Sequence, residues 1–531
     1  MKKYITLLML VLFGLTSCEN FLVEDPKGEP TNANFWKTEA DVVSATTALY
    51  IFNDYQGIYG RGMNLYSLVP SDDFVVGKPK SQIEEIKDFI TSGNGSYTRD
   101  IWPMHFIVVK RANDIIRNVP NLDINADVKD FALGEAYFMR GLAYFQLSLL
   151  YGDDNSGGIP IIDETITEDF FIERPASVST SYEFAAASFE NAAALLPYFD
   201  AANSERFGRP HKNAALGYLA RTHLHNAEYS PASWDAVITA CDQVINSNKN
   251  ALEASFEDAF KIASNWGPEY LWSVPSNTIG GSMFAGASLE NRAWGKYNGW
   301  GYFAPTKELY ESYEAGDERR DATLLAFGDE FEFFGSTRKY ASANNLTGFQ
   351  LKKFLEPYGY ANSIHLNPNG DHPSTDLNLP LLRYSHILLM KAEALIVKNG
   401  SGSGDTEINL VRARAGLAAK TGATLEDLKS ERRAEFAGEL LGRFEDLCRW
   451  GDVAKIKGAL HGKRHIGVVF DTAEGENKGF PVTSTDFTQN FPTTEVWQER
   501  SNFILETHRI WPIPANAIDT SRETLSQNKG W

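Results

Sequence analysis

The chain is poor in cysteine, in basic residues and in long apolar runs, and each shortage removes a class of protein. Three cysteines in 531 residues, at positions 18, 241 and 448, are too few and too dispersed for a disulfide framework or a four-cysteine zinc site. Lys and Arg number 50 against 69 Asp and Glu, a net charge of −19, the wrong sign for gripping a nucleic-acid backbone. Past the first fifteen residues no apolar run approaches the ~20 residues that cross a bilayer as a helix. HExxH, GxSxG, the Walker loop and the dinucleotide fingerprint are missing, so no catalytic motif stands behind an enzyme. What the chain has instead is aromatic side chains: 33 Phe, 22 Tyr and 11 Trp, or 12% of the sequence. Otherwise its composition, 43% hydrophobic and 22% charged, is that of a globular protein.

Met1-Lys2-Lys3 is a short basic start, and Tyr4 to Leu15 is an apolar run broken only by Thr6 and Gly14. That pattern reads as a secretory signal and stands apart from the fold. Its end, Leu15-Thr16-Ser17-Cys18, is similar to the bacterial lipobox, in which the cysteine is lipidated and becomes the first residue. Residues 1–17 are therefore expected to be removed as a lipoprotein signal peptide, leaving Cys18 as the lipidation site. Several acyl chains anchor stably, since each buried CH₂ contributes ~0.8 kcal/mol and one chain alone is marginal.

Helical periodicity dominates the mature chain. Phe131, Glu135, Phe138, Leu142, Phe145 and Leu149 recur at spacings of three and four, which predicts a long buried helix over 127–151. A similar pattern covers 181–196. Segments 213–227 and 233–246 predict a helix pair broken at Ser230-Pro231, and Ala-rich pairs of this size suggest a tetratricopeptide-like stack. From Trp266 to about Gly370 the chain is rich in Gly, Asn, Ser, Tyr and Trp, with short strand-like pieces such as Tyr270 to Val274. This stretch reads as loops laid on a scaffold, the usual place for binding residues. Helix returns over 381–397, 408–414 and 425–448. The expected fold is all-α dominated, a helix-pair scaffold with one large loop-rich excursion, its regions 18–230 and 231–531 packed as one body.

Several segments stand in a recognisable order along the chain. After Cys18 come Phe35-Trp36-Lys37-Thr38-Glu39-Ala40-Asp41, then Trp102 with Ala112-Asn113-Asp114-Ile115-Ile116, and the helix Glu135 to Phe145. Leu382-Arg383-Tyr384-Ser385-His386 to Ala394, Val411-Arg412-Ala413-Arg414-Ala415-Gly416-Leu417, Glu431 to Phe436, Arg443 to Leu447 and Arg449-Trp450-Gly451-Asp452 follow. Trp511-Pro512-Ile513-Pro514 and Gln527-Asn528 to Trp531 close the series, which in this order resembles the SusD/RagB family of outer-membrane nutrient-binding lipoproteins of the Bacteroidota. His386 departs from the family, where an acidic or polar residue is common. The resemblance implies a lipid-anchored, surface-exposed outer-membrane protein that binds a nutrient, usually a glycan, and passes it to a SusC-like TonB-dependent transporter. It implies neither a cofactor nor bond cleavage. Some relatives take peptides, and a surface glycoside hydrolase is the competing reading.

Sugar rings have apolar C–H faces that pack on flat aromatic rings, while amides and charged groups pair with the hydroxyls. Trp294, Tyr297, Trp300, Tyr302 and Phe303 lie within ten residues, interspersed with Gly, Asn, Arg and Lys. The family's glycan sites draw on this region and on the loop corresponding to Asp72–Trp102, which carries Tyr97 and Arg99. Trp294, Tyr297, Trp300, Tyr302, Tyr97 and Arg99 are the expected ligand contacts; for each ring the alternative is packing beneath its own loop. Trp272 lies in an alternating, half-buried pattern and is expected in the core. His223 and His225 are two apart on a helix, on different faces, and suggest no metal site. Glu431, Glu435 and Glu439 recur at four beside Arg432, Arg433, Arg443 and Arg449. A facing carboxylate pair could serve a glycosidase, but the flanking cations point to ion pairs between helices. Cys241 and Cys448 read as buried small hydrophobes.

Overall fold

A computed structural model describes residues 35–531 except 54–57, 78–79, 277–287, 291–293, 295–298, 334–335, 356–363, 367–372, 441, 474, 476 and 496. Cys18 and Tyr297 lie outside the described residues. The scaffold is a run of helices: α1 (Ile101–Asn118), α2 (Ala126–Tyr151), α3 (Val178–Leu195), α4 (Lys212–Asn226) and α5 (Ser233–Asn246). Each packs against the next, and α5 then meets α6 (Tyr384–Asn399), which contacts α7 (Asp405–Arg414) and α8 (Leu425–Phe436). Side-chain caps fix two of the starts: Asn125 accepts the Asp127 and Val128 N–H groups, and Ser177 accepts that of Ser179. From Phe138 onward every residue of α2 is buried, including Arg140, which pairs with Glu164. A Cβ on Gly141 would stand 3.0 Å from the Phe189 ring, so glycine lets α2 and α3 approach closely.

Short antiparallel strands hold the excursion to this scaffold. β1 (Phe74–Val76) lies before α1; β2 (Tyr270–Val274), β3 (Phe303–Pro305) and β4 (Leu379–Arg383) lie between α5 and α6. β2 pairs with β4, Leu379 opposite Val274 and Arg383 opposite Tyr270. Residues 275–378 therefore leave and return at the same two-stranded sheet. Trp272 is in the core, as expected. The structure corrects the expected helix over 381–397: its first residues are strand, and α6 starts at Tyr384. All five residues of β4 are buried, and a short continuous apolar run carries no periodicity to distinguish strand from helix. The expected helix over 425–448 is likewise divided. Gly438 takes a left-handed φ of +81°, and α9 (Arg443–Arg449) begins afresh after Gly442. Among the described residues no helix is long and apolar enough to cross a membrane. One apolar core runs from Val42 to Leu525, and a smaller one under the excursion contains Leu289, Trp294, Phe331, Phe333, Tyr340, Leu355 and Phe480.

Candidate functional site

Pairing of β1 with β3 brings two distant stretches together. Phe74 lies opposite Pro305 and Val76 opposite Phe303, and the Gly77 N–H donates to the Tyr302 carbonyl at 3.2 Å. The strands can come this close beyond the ladder because residue 77 is glycine: a Cβ there would sit 2.5 Å from the Gly301 carbonyl oxygen. On the other side, the Gly301 N–H donates to the Leu289 carbonyl at 2.8 Å, linking this stretch to a residue of the smaller core.

Three of the expected aromatics meet at this junction. The Trp300 and Tyr302 ring centroids are 5.3 Å apart, and those of Tyr302 and Tyr97 are 6.5 Å apart. Tyr302 is 2% exposed and forms a floor; Tyr97 and Trp300 are half-buried above the core. Two cations complete the cluster. The Arg61 guanidinium lies 4.1 Å from the Tyr97 centroid. Lys80 Nζ lies 5.8 Å and 5.4 Å from the Tyr97 and Tyr302 centroids and donates to the Tyr97 hydroxyl at 3.4 Å. Burial raises the Tyr302 phenol above its ordinary range, and Lys80 and Arg61 offset part of that, so the ring is neutral near pH 7. The arrangement offers flat apolar faces beside hydroxyl and cationic hydrogen-bonding groups.

The remaining expected residues fare differently. Trp294 is 1% exposed, with Phe331, Phe333, Tyr340 and Phe480 centroids 4.8–6.0 Å from its own. This corrects the expectation that it stacks on a ligand: its faces are taken by neighbouring rings of the smaller core. Arg99 is exposed and lies 3.5 Å from Asp100. Arg61 and Lys80 were not among the expected contacts. Arg61 sits between two glycines and reads as a turn; its place over Tyr97 depends on packing between stretches far apart in sequence.

The suspected catalytic carboxylates are spent on structure. Glu435 receives hydrogen bonds from Arg383 (3.0 Å), Arg319 (3.3 Å) and Arg414. Glu431 pairs with Arg319 at 2.6 Å and Arg412 at 3.1 Å, and Glu439 with Lys353 at 2.9 Å and Arg383. Burial alone would raise the Glu435 carboxyl, yet Arg414, Arg383 and Arg319 hold it well below the usual carboxylate range. Buried and engaged in ion pairs, these groups present no acid–base pair to a cleft. Among the described residues no cluster of His, Cys, Asp and Glu could hold a metal ion, and His225 packs against Phe145. A concavity of about 790 Å³ lies elsewhere, against α1. It is lined by Phe35, Trp36, Phe106 and Phe170, and its central carboxylate, Asp114, is already shared by Lys110 and Arg117.

Comparison with known proteins agrees with the fold. The SusD family profile, described as "SusD family", matches residues 268–531. A second SusD-like profile, described as "Starch-binding associating with outer membrane", matches residues 20–224. The chain is 25% identical over 492 residues to SusD-like protein P2 of Formosa agariphila, covering 86% of this chain and 91% of that one. A crystal structure of a SusD-like protein from Bacteroides fragilis superposes with a TM-score of 0.75 at 21% identity, covering 94% of this chain and 99% of the other. Surface glycan-binding protein A from Bacteroides thetaiotaomicron, solved in complex with laminarihexaose, superposes with a TM-score of 0.65 at 21% identity, covering 92% and 99%. The order of the matched segments, the helical scaffold and both profile matches agree: this chain belongs to the SusD/RagB family.

Proposed function

We propose that the chain is an outer-membrane lipoprotein, anchored at Cys18 and exposed on the cell surface, that binds a nutrient glycan and delivers it to a SusC-like TonB-dependent transporter. The observation that carries this reading is the junction of Tyr97, Trp300 and Tyr302, where half-buried rings stand beside Lys80 and Arg61. Such a surface suits a sugar, whose C–H face packs on a ring while its hydroxyls take hydrogen bonds. Support comes from the laminarihexaose complex of a protein with this fold and from the starch-binding, outer-membrane description of the matched profile. The role is binding, not cleavage: the carboxylates that could have served a hydrolase are locked in ion pairs. A panel of soluble polysaccharides titrated into the purified chain, with product analysis of each hit, tests the reading. Binding with the polysaccharide recovered intact supports it; shortened products contradict it. In cells, Cys18→Ala is expected to move the protein from the membrane fraction to the soluble one, and retention at the membrane would refute the anchor.

A further inference from the structure

Arg61 and Lys80 stand out in an acidic protein. The chain carries 69 acidic residues against 50 basic ones, and cations around the site use them. Asp72 and Asp73, just before β1, receive Arg443 and Arg433, each at 2.7 Å. In the large concavity Lys110 and Arg117 share Asp114. Arg61 and Lys80, both half-buried, have no carboxylate partner among the described residues. Their neighbours are the Tyr97 and Tyr302 rings and the Tyr97 hydroxyl.

Both cations lean on the same Tyr97 ring, so they stand within roughly 10 Å of each other, about one Debye length at 0.1 M salt. Two like charges at that range, partly withdrawn from water and with no carboxylate partner among the described residues, are costly to the free protein. An anion placed between them removes that cost and gains charge-assisted hydrogen bonds from both. The overall charge of −19 opposes an anion only from a distance, where salt screens it; within the site the local pair prevails.

We infer that the site selects an anionic glycan, one whose sugars carry carboxylate or sulfate groups, with Arg61 and Lys80 receiving the acidic group while Tyr97 and Trp300 hold the ring. This rests on the glycan-binding reading above and narrows it to a substrate class.

The test is calorimetric titration of the purified chain with two matched pairs of probes: oligogalacturonate against its methyl ester, and sulfated laminarin oligosaccharide against laminarin oligosaccharide. In at least one pair the charged member is expected to bind about ten-fold or more tightly, the scale of hydrogen bonds to charged groups. Which pair responds distinguishes carboxylate from sulfate. Lys80→Gln and, separately, Arg61→Gln should bring that ratio down toward one, while Lys110→Gln, at the paired cluster on α1, leaves it in place. Equal affinity for charged and neutral members, or a ratio that survives both site substitutions, overturns the inference and leaves glycan binding standing. Silence toward both members of both pairs, and toward the wider panel, overturns glycan binding and this inference together.

Discussion

Two tryptophans six residues apart show how much burial decides at the scale of a residue. Trp294 and Trp300 are chemically identical and share a glycine-rich stretch, and periodicity cannot rank them because loops have none. The structure separates them: Trp294 fills the centre of the smaller core, and Trp300 lies half-buried over Tyr302. Trp294→Ala is therefore expected to lower stability by about 3–5 kcal/mol, the usual cost of emptying a buried aromatic site, measurable as a shifted denaturation midpoint. A Trp294→Ala chain as stable as wild type would show that the smaller core is not as packed as described. The density of aromatics at 294–303 was legible in the sequence, and two of those rings, Trp300 and Tyr302, meet Tyr97 in the structure. Which ring faces outward was not, because it depends on Phe331, Phe333 and Phe480, which arrive from elsewhere in the chain. Arg61 escaped for the same reason.

At the scale of elements, the long helices were legible almost to the residue, since α2, α4 and α5 carry strong periodicity and Ala-rich contacts. Their breaks were less so. Gly438 divides one apolar-and-charged run into α8 and α9 through its backbone angle, and β4 passes for helix because burial on both sides erases its alternation. The pairing of β1 with β3 was not foreseen, yet it assembles the candidate site. Gly77→Val places a side chain against the Gly301 carbonyl oxygen, where even a Cβ would stand 2.5 Å away. This substitution is expected to push Lys80 and Tyr97 away from Trp300 and Tyr302 and to weaken glycan binding several-fold while the helical scaffold keeps its circular-dichroism signal. Wild-type affinity in Gly77→Val would mean that the junction does not position the site.

For the molecule as a whole, a buried carboxyl where α9 meets the N-terminal region makes stability depend on pH. The Glu445 carboxyl of α9 is pushed up to about 8 by burial, with Ser67 donating a hydrogen bond at 3.2 Å across to the N-terminal region. The folded chain holds this proton more tightly than the unfolded chain, whose carboxyl titrates near 4.5. The stabilisation is therefore complete below about pH 4.5 and is lost as pH rises through about 8. Glu445→Gln removes that loss: its melting temperature relative to wild type should be higher at about pH 9 than at about pH 5. An offset that does not change with pH would contradict a neutral buried Glu445. The claim on which the whole account depends is that Tyr97 and Trp300 hold the glycan. The measurement that tests it most directly is titration of a bound glycan from the panel into wild type, Trp300→Ala and Tyr97→Ala. The account predicts a loss of about 1–3 kcal/mol in each variant with melting temperatures close to wild type; undiminished affinity in both would place the ligand elsewhere on the molecule.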